Sequence, residues 1–193
     1  MSRFKAPPPQ AIPVEFDHHE DFNIAHPTTG LESWGLVKVT SQLLQQPGGD
    51  IYLRAGKHIG PHKGFGVRHI WQERGHDLVK WGYPTVYDVP RFVSDIIVHG
   101  TNIVCEFDSM KGNERLIVLR GRKGCAVLAA WPIGDDQLYY SVVTAYRNRT
   151  PNGKAVGMIE GFKIPETPKA PDLAPWTEED MRDGSRSACL ANP

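Results

Sequence analysis

The chain has little cysteine. Cys105, Cys125 and Cys189 are its three, far apart in sequence, so they form neither a disulfide framework nor a CxxC metal motif. Cys105 and Cys125 sit in apolar, strand-like runs and read as small core residues. No apolar run reaches membrane-spanning length, and MSRFKAPPPQ contains no hydrophobic signal core. We therefore expect a protein with no membrane partner that tolerates a reducing compartment and acts in the cytoplasm, with secretion or injection left to a route without a cleaved signal. Net charge is missing as well. Lys+Arg and Asp+Glu both number 22, so overall charge selects no polyanionic partner. There is no internal repeat, and 193 residues suffice for one good core.

What is present is unevenly laid out. Arg54, Lys57, Lys63, Arg68, Arg74 and Lys80 are opposed in that stretch by Glu73 and Asp77. Lys111, Arg115, Arg120, Arg122 and Lys123 are opposed by Glu114, while acids gather towards both ends. A basic middle between acidic ends is compatible with a phosphate-bearing ligand. Residues 1–30 read as an irregular Pro-rich lead-in containing His18, His19 and His26, and 165–193 as an acidic, Pro-rich tail. The folded domain is expected over 31–164. Trp34–Gln46 is its first apolar segment, either a strand followed by a helical turn or a single helix, and Ile51–Arg54 is a short strand. Lys57–Phe65 (KHIGPHKGF) reads as a loop offering His58 and His62; Gly60-Pro61 between them argues against a helical zinc motif.

Two helices follow. In Gly64–Trp81 (GFGVRHIWQERGHDLVKW), Val67, Ile70, Trp71, Leu78 and Trp81 fall on one side of a wheel at about 100° per residue. His69, Glu73, His76 and Lys80 fall on the other side. Gly75 weakens this helix by about 1 kcal/mol relative to Ala. A second helix is marked by Asp88 as N-cap, Pro90 in the first turn, a Phe92, Val93, Ile96 and Ile97 stripe, and Gly100 as its stop. From Asn102 the period changes to two. Asn102–Phe107, Arg115–Arg120, Cys125–Trp131 and Leu138–Arg147 read as strands joined by turns too short for anything but antiparallel neighbours, and Ala155–Ile164 adds a last strand. The fold class expected is α+β: two helices packed on an antiparallel four- to five-stranded meander with Pro-rich irregular termini.

Strict alternation puts Tyr140, Val142, Thr144 and Tyr146 on one face of the last meander strand, and Leu116, Val118 and Arg120 together on another strand. A sheet presenting Arg120, Thr144 and Tyr146 beside the His69 helix gathers an imidazole, a guanidinium and two hydroxyls. Such a set suits phosphodiester cleavage by a ribose 2′-hydroxyl: histidine moves protons near neutral pH, and Arg or Lys stabilises the charge growing on phosphorus. No metal or other cofactor is required.

The order FGVRHIW…GH, then DVPRFVSDIIVHGT, then a meander with RLIVLRG that ends SVVTAYR resembles phage- and toxin-associated nuclease domains. These belong to the superfamily grouping barnase, EndoU, colicin-type and RelE ribonucleases. The resemblance covers about Lys57–Arg149, and toxins with an RNase A-like fold share the same residue types. It implies a metal-independent endoribonuclease toxin with an RNA substrate and a cognate immunity protein. It implies further that His69 is the helix histidine, Thr144 and Tyr146 the strand pair, and Arg120 the phosphate-contacting base. From the wheel we add His76 or Glu73 as second proton carrier; Lys57, Lys63, Arg122 and Lys123 are the expected phosphate-binding cations. The competing expectation is a catalytically inactive RNA-binding or protein-interaction component of a phage or secretion system. ADP-ribosyl transfer, which needs a late catalytic Glu, has Glu160 as its sole candidate.

Overall fold

A computed structural model describes residues 16, 18–44, 46–107, 115–133, 137–147 and 153–161. The expected acidic tail, most of the Pro-rich lead-in, and the DSMKGNE and GDDQ turns except Gln137 lie outside these residues. Among the described residues the chain runs β1 (Ser33–Val39), β2 (Gly49–Tyr52), β3 (Lys57–Gly60), β4 (Lys63–Phe65), α1 (Gly66–Lys80), α2 (Val89–Ser94), β5 (Asn102–Cys105), β6 (Arg115–Arg120), β7 (Gly124–Ile133), β8 (Gln137–Tyr146) and β9 (Lys154–Glu160).

The expected α+β fold, two helices on a four- to five-stranded antiparallel meander, is corrected: the described residues are mostly β-strand with two α-helices, and the sheet closes on itself. Seven strands form a closed barrel in the order β1-β2-β8-β7-β6-β5-β9. The run β5–β8 is antiparallel, as expected from its short connections. What closes it is non-local: β9 bridges β5 to β1, and β2 meets β8 in parallel through Ile51↔Tyr140 and Tyr52↔Ser141. β1, β2 and β9 carry no local signal of their partners, whereas closure leaves the barrel no open edge. Val37, Ile51, Ile103, Leu116, Leu128, Tyr140 and Ile159 are fully buried and fill the interior. No helix among the described residues is long and apolar enough to cross a membrane.

Tyr140 is the largest fully buried side chain among the described residues, and its hydroxyl donates to the Pro47 carbonyl at 2.7 Å. Pro47 is exposed, so in Tyr140→Phe its carbonyl turns to water, and we expect a loss of about 0.5–1.5 kcal/mol, the net worth of one hydrogen bond. It should read as a lower urea midpoint at an unchanged m-value.

The α1 helix begins without a side-chain cap. Its first free N–H groups are satisfied instead by the chain after β2: Val67 N–H donates to the Arg54 carbonyl and Arg68 N–H to the Ala55 carbonyl, both at 3.0 Å. Gly66 has φ +75° and no room for a Cβ against the Arg54 carbonyl, so only glycine fits this start. The helix then runs alongside β8. Phe65 lies 6.3 Å from Trp131 near the strand's beginning, Arg74 sits 5.3 Å over the Tyr146 ring, and Arg147 sits 5.1 Å over Trp81. Val67, Ile70, Trp71 and Leu78 are buried, and the Trp71 ring occupies the space a side chain at 75 would need.

The second helix is shorter than expected. It stops at Ser94, and although Asp88 precedes it, the Asp88 carboxylate accepts from the Thr85 N–H and hydroxyl rather than capping the helix. Tyr83 and Arg120 hold its end through the Asp95 carboxylate and carbonyl. Phe92, Val93, Ile96 and Ile97 are all buried, so the stripe is core. Gly100 turns the chain into β5 instead of ending the helix, with φ +78° and its N–H on the Ile159 carbonyl.

The described part of the lead-in packs on the barrel. Asn23 bridges Arg54, Ile24 N–H donates to the Leu53 carbonyl, and Trp34 Nε1 donates to the Ile24 carbonyl. His26 is a structural residue there: its Nδ1 accepts from Thr28 and Thr29 N–H, and its ring meets the Trp34 edge. Burial pushes its pKa down. The unfolded chain therefore takes up its proton at about pH 6.5, before the folded chain does. Its contribution to stability is complete above that pH and is lost as pH falls through it. We expect the urea midpoint to drop between pH 7.5 and 5.5, and His26→Asn, which keeps an acceptor, to make that drop smaller, the remainder coming from His69, whose pKa burial also lowers.

Candidate active site

The segment read as a loop is a hairpin. β3 and β4 pair through Lys57↔Phe65 and His58↔Gly64, and His62 at its tip adopts φ +61°. This hairpin folds over the first turns of α1 and brings four side chains together. The His58 and His69 Nδ1 atoms are 3.2 Å apart, with rings nearly parallel at an interplanar angle of 22°. One helical turn on, Glu73 accepts the His62 backbone N–H at 3.0 Å, and His62 Nδ1 lies 3.5 Å from its other oxygen. His58, His69 and Glu73 place one ligating atom each within 4.8 Å of one another.

Burial is graded across the group. His69 is 4% exposed although the wheel put it on a polar face, because the hairpin covers that face at this level. Gly64, with φ +144°, permits the approach: a Cβ there would collide with the Lys57 carbonyl and lie 2.8 Å from His69 Nδ1. Burial above all pushes the His69 pKa down; Glu73 opposes this, and His58, Arg74 and His62 add to it. Burial acts to raise the Glu73 pKa. The His62 N–H and the three imidazoles outweigh it and hold the carboxyl below its ordinary value. The result is a carboxylate beside a sheltered imidazole whose protonation burial disfavours, and which touches a half-buried one.

Beyond the cover, His76 is exposed with Asp77 at 3.7 Å. It points in nearly the same direction as His69 but about 10 Å further along the axis, where no hairpin lies, so the structure does not bring it to the group. Tyr146 meets α1 through Arg74, by a route strict alternation missed. The register against β7 shifts between Val127↔Thr144 and Leu128↔Val142. This bulge turns Thr144 and Tyr146 onto the outer face with Tyr139 and Ser141, leaving Tyr140, Val142 and Ala145 inside. Arg74, stacked on Tyr146, also has an Nε with no partner among the described residues.

Arg120 lies elsewhere. Its register position matches Leu116 and Val118 on the inner face, and its guanidinium donates to the Asp95 carbonyl. Arg122 and Lys123 are exposed in the turn that follows, Lys123 Nζ 3.8 Å from the Asp95 carboxylate. All three sit at the end of β7 remote from Trp131, the end at which Cys125 pairs with Tyr146. Lys57 is paired with Glu20 at 2.8 Å, and Lys63 is exposed on β4. Glu160 pairs with Lys38 across the β1–β9 edge.

Sequence reasoning underused His58 and His62. The i, i+4 pair His69–Glu73 and a turn-rich KHIGPHKGF immediately before the helix were the available signals, since a hairpin there must fold back on the helix start. Next to the group lies an aromatic shelf. Trp131 is 39% exposed and stacks on Tyr139 at 6.4 Å, and Tyr52 meets Tyr139 edge-on. Beneath it Arg54 is almost fully buried. Its Cζ is 4.2 Å over Phe65 and 4.7 Å over Trp131, with Nε on the Ser141 hydroxyl and Nη1 on the Asp21 carboxylate. Compared with protein-family models, curated proteins and solved structures, the chain matches none.

Proposed function

We propose that the protein is a metal-independent ribonuclease whose proton carriers are the hairpin imidazoles, backed by α1. The observation that carries this reading is the His58–His69 contact beside the His62–Glu73 pair. His58, half-buried, takes the proton of a ribose 2′-hydroxyl; His69 behind it fixes its ring and tautomer, and so is a positioning residue. His62, an ion pair with Glu73 when its imidazole carries a proton, donates to the leaving 5′-oxygen. His69 and Glu73 rise about 6 Å apart along α1, which offsets the two hairpin imidazoles enough to flank a phosphodiester. Arg74 and Lys63 supply positive charge for the phosphorane. The Trp131–Tyr139–Tyr52 shelf supports a single-stranded substrate, because any base can stack on it.

Incubation of the purified protein with total RNA in EDTA tests this. Fragments ending in 2′,3′-cyclic phosphate are expected, and they should vanish with His58→Ala. Salt-sensitive RNA retention without products would favour the binding-only reading instead.

A further inference from the structure

We propose that His58, His69 and Glu73 form a zinc site in which an ion bridges the hairpin to α1. Two imidazole nitrogens 3.2 Å apart cannot both present lone pairs to each other; they must share a proton or a cation. A tetrahedral zinc with bonds of about 2.0–2.1 Å places neighbouring ligand atoms about 3.3 Å apart, so these two nitrogens already span one edge of such a site. The third ligand atom lies within 4.8 Å of both, a gap that torsion of the Glu73 side chain closes.

Two imidazoles and one carboxylate are a donor set suited to zinc, with the fourth position left to water or to His62. The ligands are ordered beforehand. His69 and Glu73 stand one turn apart on a helix, His69 is wedged under Gly64, and the Glu73 side chain is 14% exposed. Little conformational freedom remains to be lost on binding. Zinc on His58 would also occupy the nitrogen through which His69 positions it, so metal would switch the site off. That second consequence rests on the ribonuclease reading; the binding itself does not.

The test uses the full chain, stripped with chelator and titrated first with Co²⁺ as a spectroscopic substitute, then with Zn²⁺ in competition. We expect one equivalent to bind, with visible absorption of a four- or five-coordinate cobalt site, and a rise in melting temperature of about 5–10 °C at a hundredfold excess over Kd. His58→Ala and Glu73→Gln should each weaken binding at least about tenfold, while His19→Ala, on an exposed ring, should not. Neither His58 nor Glu73 is fully buried, so both variants should fold, as circular dichroism will verify. Absence of stoichiometric binding, or binding that survives both substitutions, would overturn the proposal. In the RNA assay zinc should inhibit and EDTA restore. Cleavage that persists with the site loaded would overturn the role of His58 in cleavage and leave the ion site standing. Zinc that activates would overturn metal independence in the same way.

Discussion

His58→Ala is expected to reduce RNA cleavage by about 10²–10⁴-fold, the contribution a positioned general base makes. The fall should appear in kcat with KM nearly unchanged, since the phosphate and stacking contacts stay in place. His58 sits on a strand of a two-stranded hairpin, is half-buried, and touches His69, so its removal opens no large cavity. His69 is a harder case. It is 4% exposed, and His69→Ala would combine a loss of chemistry with a loss of packing. His69→Asn keeps a polar atom near the Nδ1 position. For a positioning role we expect a smaller fall, about 10–100-fold, with an altered pH profile, because the ring that fixes the His58 tautomer is gone. An unchanged rate and profile in His58→Ala would sink the assignment. His19→Ala, on a ring 78% exposed, should leave the rate alone.

The second large effect is structural and reaches the same site. At Gly64 an alanine would meet the Lys57 carbonyl and the His69 ring while forced to φ +144°. Neither neighbour can yield cheaply: one is the backbone of the paired strand, the other a buried imidazole. Backbone strain and overpacking each cost about 1–3 kcal/mol, so a loss of about 3 kcal/mol or more is expected. For a domain of this size that lowers the melting temperature by about 6–12 °C. Gly30→Ala is the internal control. Its φ is +71° but nothing lies within 4 Å of the new Cβ, so it reports the backbone cost alone, about 1–2 kcal/mol. If the two variants melt together, the hairpin does not press on His69 as described. If Gly64→Ala is the less stable, its cleavage should fall too, because the hairpin can relieve the clash only by lifting His58 away from α1.

Much of the scaffold was legible in the residues themselves. The 3.6 period of Val67, Ile70, Trp71 and Leu78 identified α1 and its buried face, and the short, turn-rich connections identified the antiparallel run from β5 to β8. The i, i+4 placement of His69 and Glu73 is likewise a property of local sequence. Four other facts are not local. The pairing of β2 with β8 and of β9 with both β1 and β5 closes the barrel, and no periodicity records which distant strand a segment will meet. One extra residue in β8 moves Thr144 and Tyr146 to the outer face, a change of register that alternation cannot foresee. Arg120 holds the turn after α2 because β6 ends there. Above all, a wheel shows which side of a helix is polar but not what lies over it. The sequence alone determined that His69 and Glu73 share a helix face. Only the tertiary structure decided that a hairpin covers this face, burying one imidazole against another while His76, two turns on, stays in water.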